Sequence, residues 1–301
     1  MRRWIAAALT ASAVIAATPA YAQAAGTPNP VKALTKQFVA GQGVKLRETT
    51  STWVNGEEYA GATREGSIEL GAKGVVGAET VRNPVMSEAV RNQLELAVKQ
   101  NPETADAVDT LMERIYQVSV GNKLYVNGGI FSLLLPDDKL WFSAKASNAS
   151  AAYGDQLINI FEPATLKKLL ATATSKRASA YKGSITLGDL YAVSPTLREM
   201  VPLKPKGKEA KAAIGWKLYL DEQSLAKRLS ISLVLPISKK LKMKVVAETR
   251  YFDWGTSVKI TAPPAESVAK IEDLAKNPPD LPSVVDKNYV SVPPDDNGKT
   301  E

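Results

Sequence analysis

The side chains able to do chemistry in this sequence are carboxylates, hydroxyls and amines, because its 301 residues include no histidine and no cysteine. That removes Ser-His and Cys-His nucleophile pairs, histidine-bound metals, zinc–thiolate sites, disulfides and a lipid-modified cysteine. A serine activated by lysine survives the exclusion. The spacing Ser-x-x-Lys occurs at Ser179–Lys182, Ser224–Lys227 and Ser267–Lys270. The Ser-Asp-Asn and Lys-Thr-Gly elements that accompany it in penicillin-recognising enzymes are missing. Paired carboxylates could serve glycoside hydrolysis. Here Glu57-Glu58, Asp137-Asp138 and Asp295-Asp296 fall in turn or tail sequence, where turn chemistry and solubility account for them. Gly71, Gly74 and Gly77 are not followed by Lys-Ser/Thr, so a phosphate-cradling loop is unsupported. No catalytic residue, metal site or cofactor is expected, and the chain reads as non-enzymatic.

What remains able to bind is apolar surface, and the elements decide where it lies. Residues 1–22 read as a signal peptide: Arg2 and Arg3, an apolar stretch from Trp4 to Ala17, Pro19, and the small-x-small site Ala20-Tyr21-Ala22. Cleavage is expected after Ala22. With no cysteine to lipidate, the mature chain is expected to be exported, extracellular or held at the cell envelope, without a lipid anchor. The net charge of +7, two units of which leave with Arg2 and Arg3, is too small to argue nucleic acid. Residues 23–30 are read as a disordered leader. Residues 277–301, rich in Pro, Asp, Ser and Asn, are read as a disordered acidic tail.

Between them, residues 31–276 are read as one domain. Val31, Leu34 and Phe38 lie at helical spacing before Gly41 and Gly43, which are expected to cap the helix. Alternation from Val44 and from Gly61, with Asn55-Gly56 between, predicts a hairpin, and Lys73-Gly74 opens another turn. Helical stripes follow over 87–115. Strands are expected around Gly121-Asn122 and at Leu140–Ser143. A helical region is predicted over 155–176, with Asp155 as a cap and Pro163 in a first turn. A short strand is expected at Tyr181–Thr186 and a brief helix after Ser194-Pro195. Lys204–Lys211 reads as a basic loop able to touch anionic head groups or a wall polymer. Alternation then returns at 216–220, 229–235 and 243–251, and Val258, Ile260 and Ala262 are expected to form the closing strand. The fold class is α+β: a large curved antiparallel sheet with helices packed on one face.

Three passages resemble the exported lipid-carrier superfamily that includes LolA and the LppX/LprG lipoproteins. They are Asn122–Asn127 with Leu133–Trp141, Trp216–Asp221 with Lys227-Arg228-Leu229, and Tyr251–Pro264 with its Ala-Pro-Pro end. The resemblance spans most of 31–275. It implies a half-open β-barrel of about eleven strands, with helices covering the concave face and an apolar cavity for acyl chains. It carries over no catalytic residue, and the absent lipobox cysteine departs from many relatives. Strand alternation supplies the candidate lining: Tyr116, Val118, Val120, Leu124, Val126, Trp216, Leu218, Leu220, Leu229, Ile231 and Leu233. The expected function is binding or carrying lipid in a cavity between sheet and helices. The expected partners are a lipid or lipoglycan and, transiently, a membrane surface, with the chain a monomer. The alternative is a surface or wall-associated interaction module of the same fold with a filled core and no ligand.

Overall fold

Asn55-Gly56 folds as its composition requires. Both residues have positive φ, 52° and 95°, the pair a two-residue type I′ hairpin turn needs. They join β1 (Gln42–Val54) to β2 (Glu57–Gly71), and a second tight turn leads to β3 (Gly74–Met86). The first turn is also fastened sideways. The Asn55 N–H donates to the carbonyl of Lys242 at 2.9 Å, and Asn55 Oδ1 accepts from the Lys242 N–H at 2.9 Å. Asn55→Ala forces alanine into left-handed backbone and strips that acceptor. We expect a loss of about 1–2 kcal/mol in urea unfolding, against less for Asn55→Gly, which keeps the conformation.

The computed structural model describes residues 29–177, 179–238 and 240–270. The signal-peptide call, most of the leader call and the acidic-tail call lie outside the described residues. Short helix α1 (Pro30–Lys36) precedes β1. After β3 come α2 (Glu88–Gln100), α3 (Ala105–Leu111), β4 (Ile115–Val120), β5 (Lys123–Asn127) and β6 (Trp141–Lys145). Then follow α4 (Asn148–Tyr153), α5 (Pro163–Ala171), β7 (Ala173–Arg177), β8 (Ala180–Thr186), α6 (Leu187–Val193) and α7 (Pro195–Met200). The chain closes with α8 (Gly207–Ala210), β9 (Ala213–Leu220), β10 (Ala226–Pro236), β11 (Lys242–Ser257) and β12 (Val268–Lys270).

Among the described residues, twelve strands form one sheet in the order β12-β6-β5-β4-β3-β2-β1-β11-β10-β9-β8-β7. Its two ends do not meet, so the sheet is curved and half open, the α+β architecture expected. Every pairing is antiparallel except the three-residue parallel contact of β12 with β6. The long β1–β2–β3 meander and its return partner β11 form the centre.

Four expectations change. Gly41 and Gly43 do not cap α1, which ends earlier at Gln37 in right-handed backbone; Gly41, at φ 75°, turns the chain into β1 instead. The predicted helix over 155–176 is really α5 flanked by irregular chain and by β7, because Ala173–Arg177 pairs with β8. Asp155 caps nothing: its carboxylate accepts from Arg82 Nε at 3.1 Å. Val258–Ala262 is not a strand of the ladder. It leaves the end of β11 and crosses the convex face, where the Ile260 N–H donates to Glu69 Oε2 at 2.8 Å. The chain rejoins the sheet only at β12, beyond Pro263 and Pro264, which have no N–H to offer a ladder.

The core lies between the concave face and the helices. Val44 and Leu46 of β1, Ile68 and Leu70 of β2, Ile214 and Leu218 of β9, and Leu229 of β10 are each at most 1% exposed. They meet Ile158, Ile160, Leu166, Leu169, Leu190 and Leu197 from the helical cover. A second small cluster, Val90, Leu94 and Val108, seats α2 and α3.

Candidate functional site: the concave face

The predicted lining divides between the two faces of the sheet. Trp216, Leu218 and Leu220 of β9 and Leu229, Ile231 and Leu233 of β10 are all buried in the main core on the concave side. Leu124 packs against that core, and Val126 shares its parity on β5. Tyr116, Val118 and Val120 point the other way. In the β4–β5 register Val118 faces Tyr125, whereas Leu124 and Val126 face Ser119 and Gln117. Val118 and Val120 instead join Tyr125, Trp141, Val258 and Ile260 in a cluster under the crossing chain. Tyr116 stays exposed. Period-two alternation identifies a face but not which face, and the return of chain over the convex side supplied apolar partners there too.

On the concave side the gap beside α1 is nearly closed, whereas Leu220, Tyr251 and Trp254 also line an open cleft of about 610 Å³ with Ser179 and Asp221. Between Pro30, Leu34, Ile160, Leu166, Leu218, Leu220, Leu225, Ala226 and Trp254 there is a void of about 10 Å³, no more than one water. Trp216, 2% exposed, is among the bulkiest of the filling side chains. Its ring rests against Gly183 on β8, where an added Cβ would approach it to 2.8 Å. Phe161 of the cover meets Tyr251 edge-on, with centroids 5.8 Å apart.

A polar row crosses this apolar face. Thr249, Glu48, Arg64 and Arg82 are successive register partners on β11, β1, β2 and β3. Glu48 and Arg64 are 1% and 2% exposed. Arg64 donates through Nε to Glu48 Oε1 at 3.1 Å and through an NH2 to Oε2 at 3.2 Å, a bidentate pair. Thr249 Oγ1 donates to Glu48 Oε2 at 2.8 Å, and the Asp155 N–H donates to Oε1 at 3.1 Å. Arg64 also donates to the carbonyl of Ala152 at the end of α4, at 3.4 Å. Gly154 has φ 57°, and a Cβ there would fall on the guanidinium. The row therefore bolts the α4 segment to the middle of the sheet.

The sequence reading missed this row, although parity exposes it. Val44-x-Leu46-x-Glu48 and Arg64-x-x-x-Ile68-x-Leu70 put both charges in step with core residues. The cover is tied further by Glu162 Oε1, which accepts from the N–H and hydroxyl of Thr196 at 2.8 and 2.7 Å. Asn159 Nδ2 donates to Thr196 Oγ1 at 3.0 Å.

Two phenols on this side, Tyr251 and Tyr153, are held neutral. Burial, and after it the Glu48 carboxylate, pushes Tyr251 well above its ordinary value of 10.0. Burial and then Glu162 do the same to Tyr153. Above the ordinary value the unfolded chain releases protons that the folded chain keeps, so stability falls as pH rises past about 10. A series of unfolding midpoints against pH should turn down there, and Tyr153→Phe with Tyr251→Phe should flatten the slope.

Among the described residues, no three acidic side chains gather where they could hold a metal ion. Ser224 of the second Ser-x-x-Lys site lies in a turn, with its N–H donating to the Asp221 carbonyl at 3.1 Å.

No family model matches the chain, and no curated protein matches it. Solved structures overlap it loosely. The hypothetical protein CT021 from Chlamydia trachomatis is 7% identical, with a TM-score of 0.27, over 77% of this chain and 97% of that one. A LolA superfamily protein, NE2245 from Nitrosomonas europaea, is 7% identical at a TM-score of 0.25, over 74% of this chain and 90% of its own. A porin-like protein from Bacteroides uniformis is 8% identical at a TM-score of 0.24, over 71% and 98%. Overlaps this loose fix neither family nor ligand. No helix among the described residues is long and apolar enough to cross a membrane.

Proposed function

We propose that this chain is an exported, non-enzymatic lipid-binding protein whose acyl-chain space lies between the concave face and its helices, where side chains leave only a narrow gap beside α1. The observation that carries the reading is the unbroken apolar strip on β8, β9 and β10, from Tyr181 and Ile185 through Trp216 and Leu218 to Leu229 and Ile231. Only short helices and loops cover it. One edge of the cover is α1, a seven-residue helix that buries Pro30 and Leu34 at the 10 Å³ seam. An acyl chain entering there gains about 0.8 kcal/mol per methylene over water. That gain is offset by the cover contacts it displaces, so a lipid rather than a small apolar molecule is the expected ligand.

The packed core favours a second reading, an interaction module of the same fold that holds no ligand. Native mass spectrometry of the secreted chain, followed by organic extraction, separates the two. One lipid per chain supports the first reading. A bare polypeptide mass that stays bare after incubation with lipid vesicles overturns it.

A further inference from the structure

The convex face carries a second surface that the lipid space does not explain. At the end of the sheet where β1 turns into β2 and β10 into β11, Trp53, Lys244 and Val234 are register partners on three adjacent strands. The Lys244 ammonium lies 4.9 Å from the centre of the Trp53 ring. Lys242 follows two residues along β11, and Lys240 stands in the adjoining turn. With Asn55 and Gly56 these residues line a shallow cleft of about 610 Å³. Beside the cleft the Ile237 N–H donates to the Leu241 carbonyl at 2.9 Å, and Ser238 Oγ accepts from the Leu241 N–H at 3.1 Å.

Apolar side chains stand exposed beside these amines: Val234 is 50% and Ile237 54% exposed. Of the acids at this end, Glu58 is the β2 register partner of Trp53, and β1 separates it and Glu57 from the lysines. A site for a soluble polyanion would use the amines alone, whereas a bilayer interface would also use the exposed valine and isoleucine. Amines level with an aromatic ring and aliphatic tips match an interface whose head groups are anionic and whose interior is apolar.

We propose that this end of the sheet docks on an anionic lipid bilayer, with Lys240, Lys242 and Lys244 among the head groups and Trp53, Val234 and Ile237 at the acyl boundary. The proposal is independent of whether the concave space takes a lipid. It is tested by sedimenting the full chain with vesicles of phosphatidylcholine alone or mixed with phosphatidylglycerol. Binding is expected only to the mixed vesicles, and it should weaken with added salt. The triple variant Lys240→Gln, Lys242→Gln, Lys244→Gln should lose on the order of 100-fold in partition, from roughly fivefold per surface lysine. Trp53→Ala should lose about tenfold. Lys182→Gln with Lys217→Gln, on β8 and β9, should bind as the parent does. All these side chains are at the surface, and an unchanged urea midpoint confirms folding. Equal sedimentation with neutral vesicles overturns the proposal, as does full binding by the triple variant. Retention on dextran sulfate without sedimentation on the mixed vesicles also overturns it, in favour of a soluble polyanion.

Discussion

Arg64→Ala lowers the unfolding free energy by about 3–5 kcal/mol, because it leaves the Glu48 carboxylate buried without its counter-charge. Against a typical total of about 5–15 kcal/mol, that is enough to leave part of the population unfolded at ambient temperature. Glu48 would keep only Thr249 and the Asp155 N–H as donors. The guanidinium is also the strut beneath Gly154 and the Ala152 carbonyl. The α4 segment is therefore expected to loosen before the sheet does, with faster amide exchange at 152–156 than in β1. Removing both charges should cost less than the sum of the two single changes. In Glu48→Met with Arg64→Leu, no unpaired ion is left, and matched apolar pairs are often close to neutral. Urea unfolding of the two single variants and the double variant measures this. A loss below about 1 kcal/mol for Arg64→Ala would mean that water reaches Glu48 and that the row is not sealed.

The second large effect is expected at the centre of the concave face. Trp216→Ala should cost about 3–5 kcal/mol and leave a cavity where the indole now rests on Gly183. The indole N–H has no hydrogen-bond partner in the core. Trp216→Phe removes that orphan donor along with part of the volume, so its cost should be smaller. The same pair of variants reads on function. If side-chain filling is what closes the acyl space, Trp216→Ala should bind a fluorescent fatty acid more tightly than the parent. If the core has no route to solvent, the dye should stay unbound in both, and only stability should change. Stability by urea and dye titration on the same samples keep the two outcomes apart.

The hairpins were the most legible part of the fold. Asn55-Gly56 and Gly121-Asn122 pin their turns through positive φ, a property of two residues and their immediate neighbours. Strand parity in β9 and β10 was equally plain, since Trp216, Leu218, Leu220, Leu229, Ile231 and Leu233 share one face and all are buried. The same rule failed for Val118 and Val120, whose apolar partners include residues 141 and 258–268, far along the chain, and for Tyr116, which stays exposed. Asp155 reads as a helix cap, yet it answers Arg82, a partner 73 residues away.

Local chemistry, then, determined the absence of His- and Cys-based catalysis, the meanders, the turns and the α+β class. Each of these depends on residue type and on period over a few positions. Tertiary structure decided which face each strand turns inward and where the Glu48–Arg64 pair is sealed. It also decided that the gap beside α1 is nearly closed, and that three lysines line one cleft with Trp53 at one end of the sheet. Those outcomes depend on which distant segments arrive to cover a surface. Alternation along a strand is identical whether helix, crossing chain or solvent lies above it.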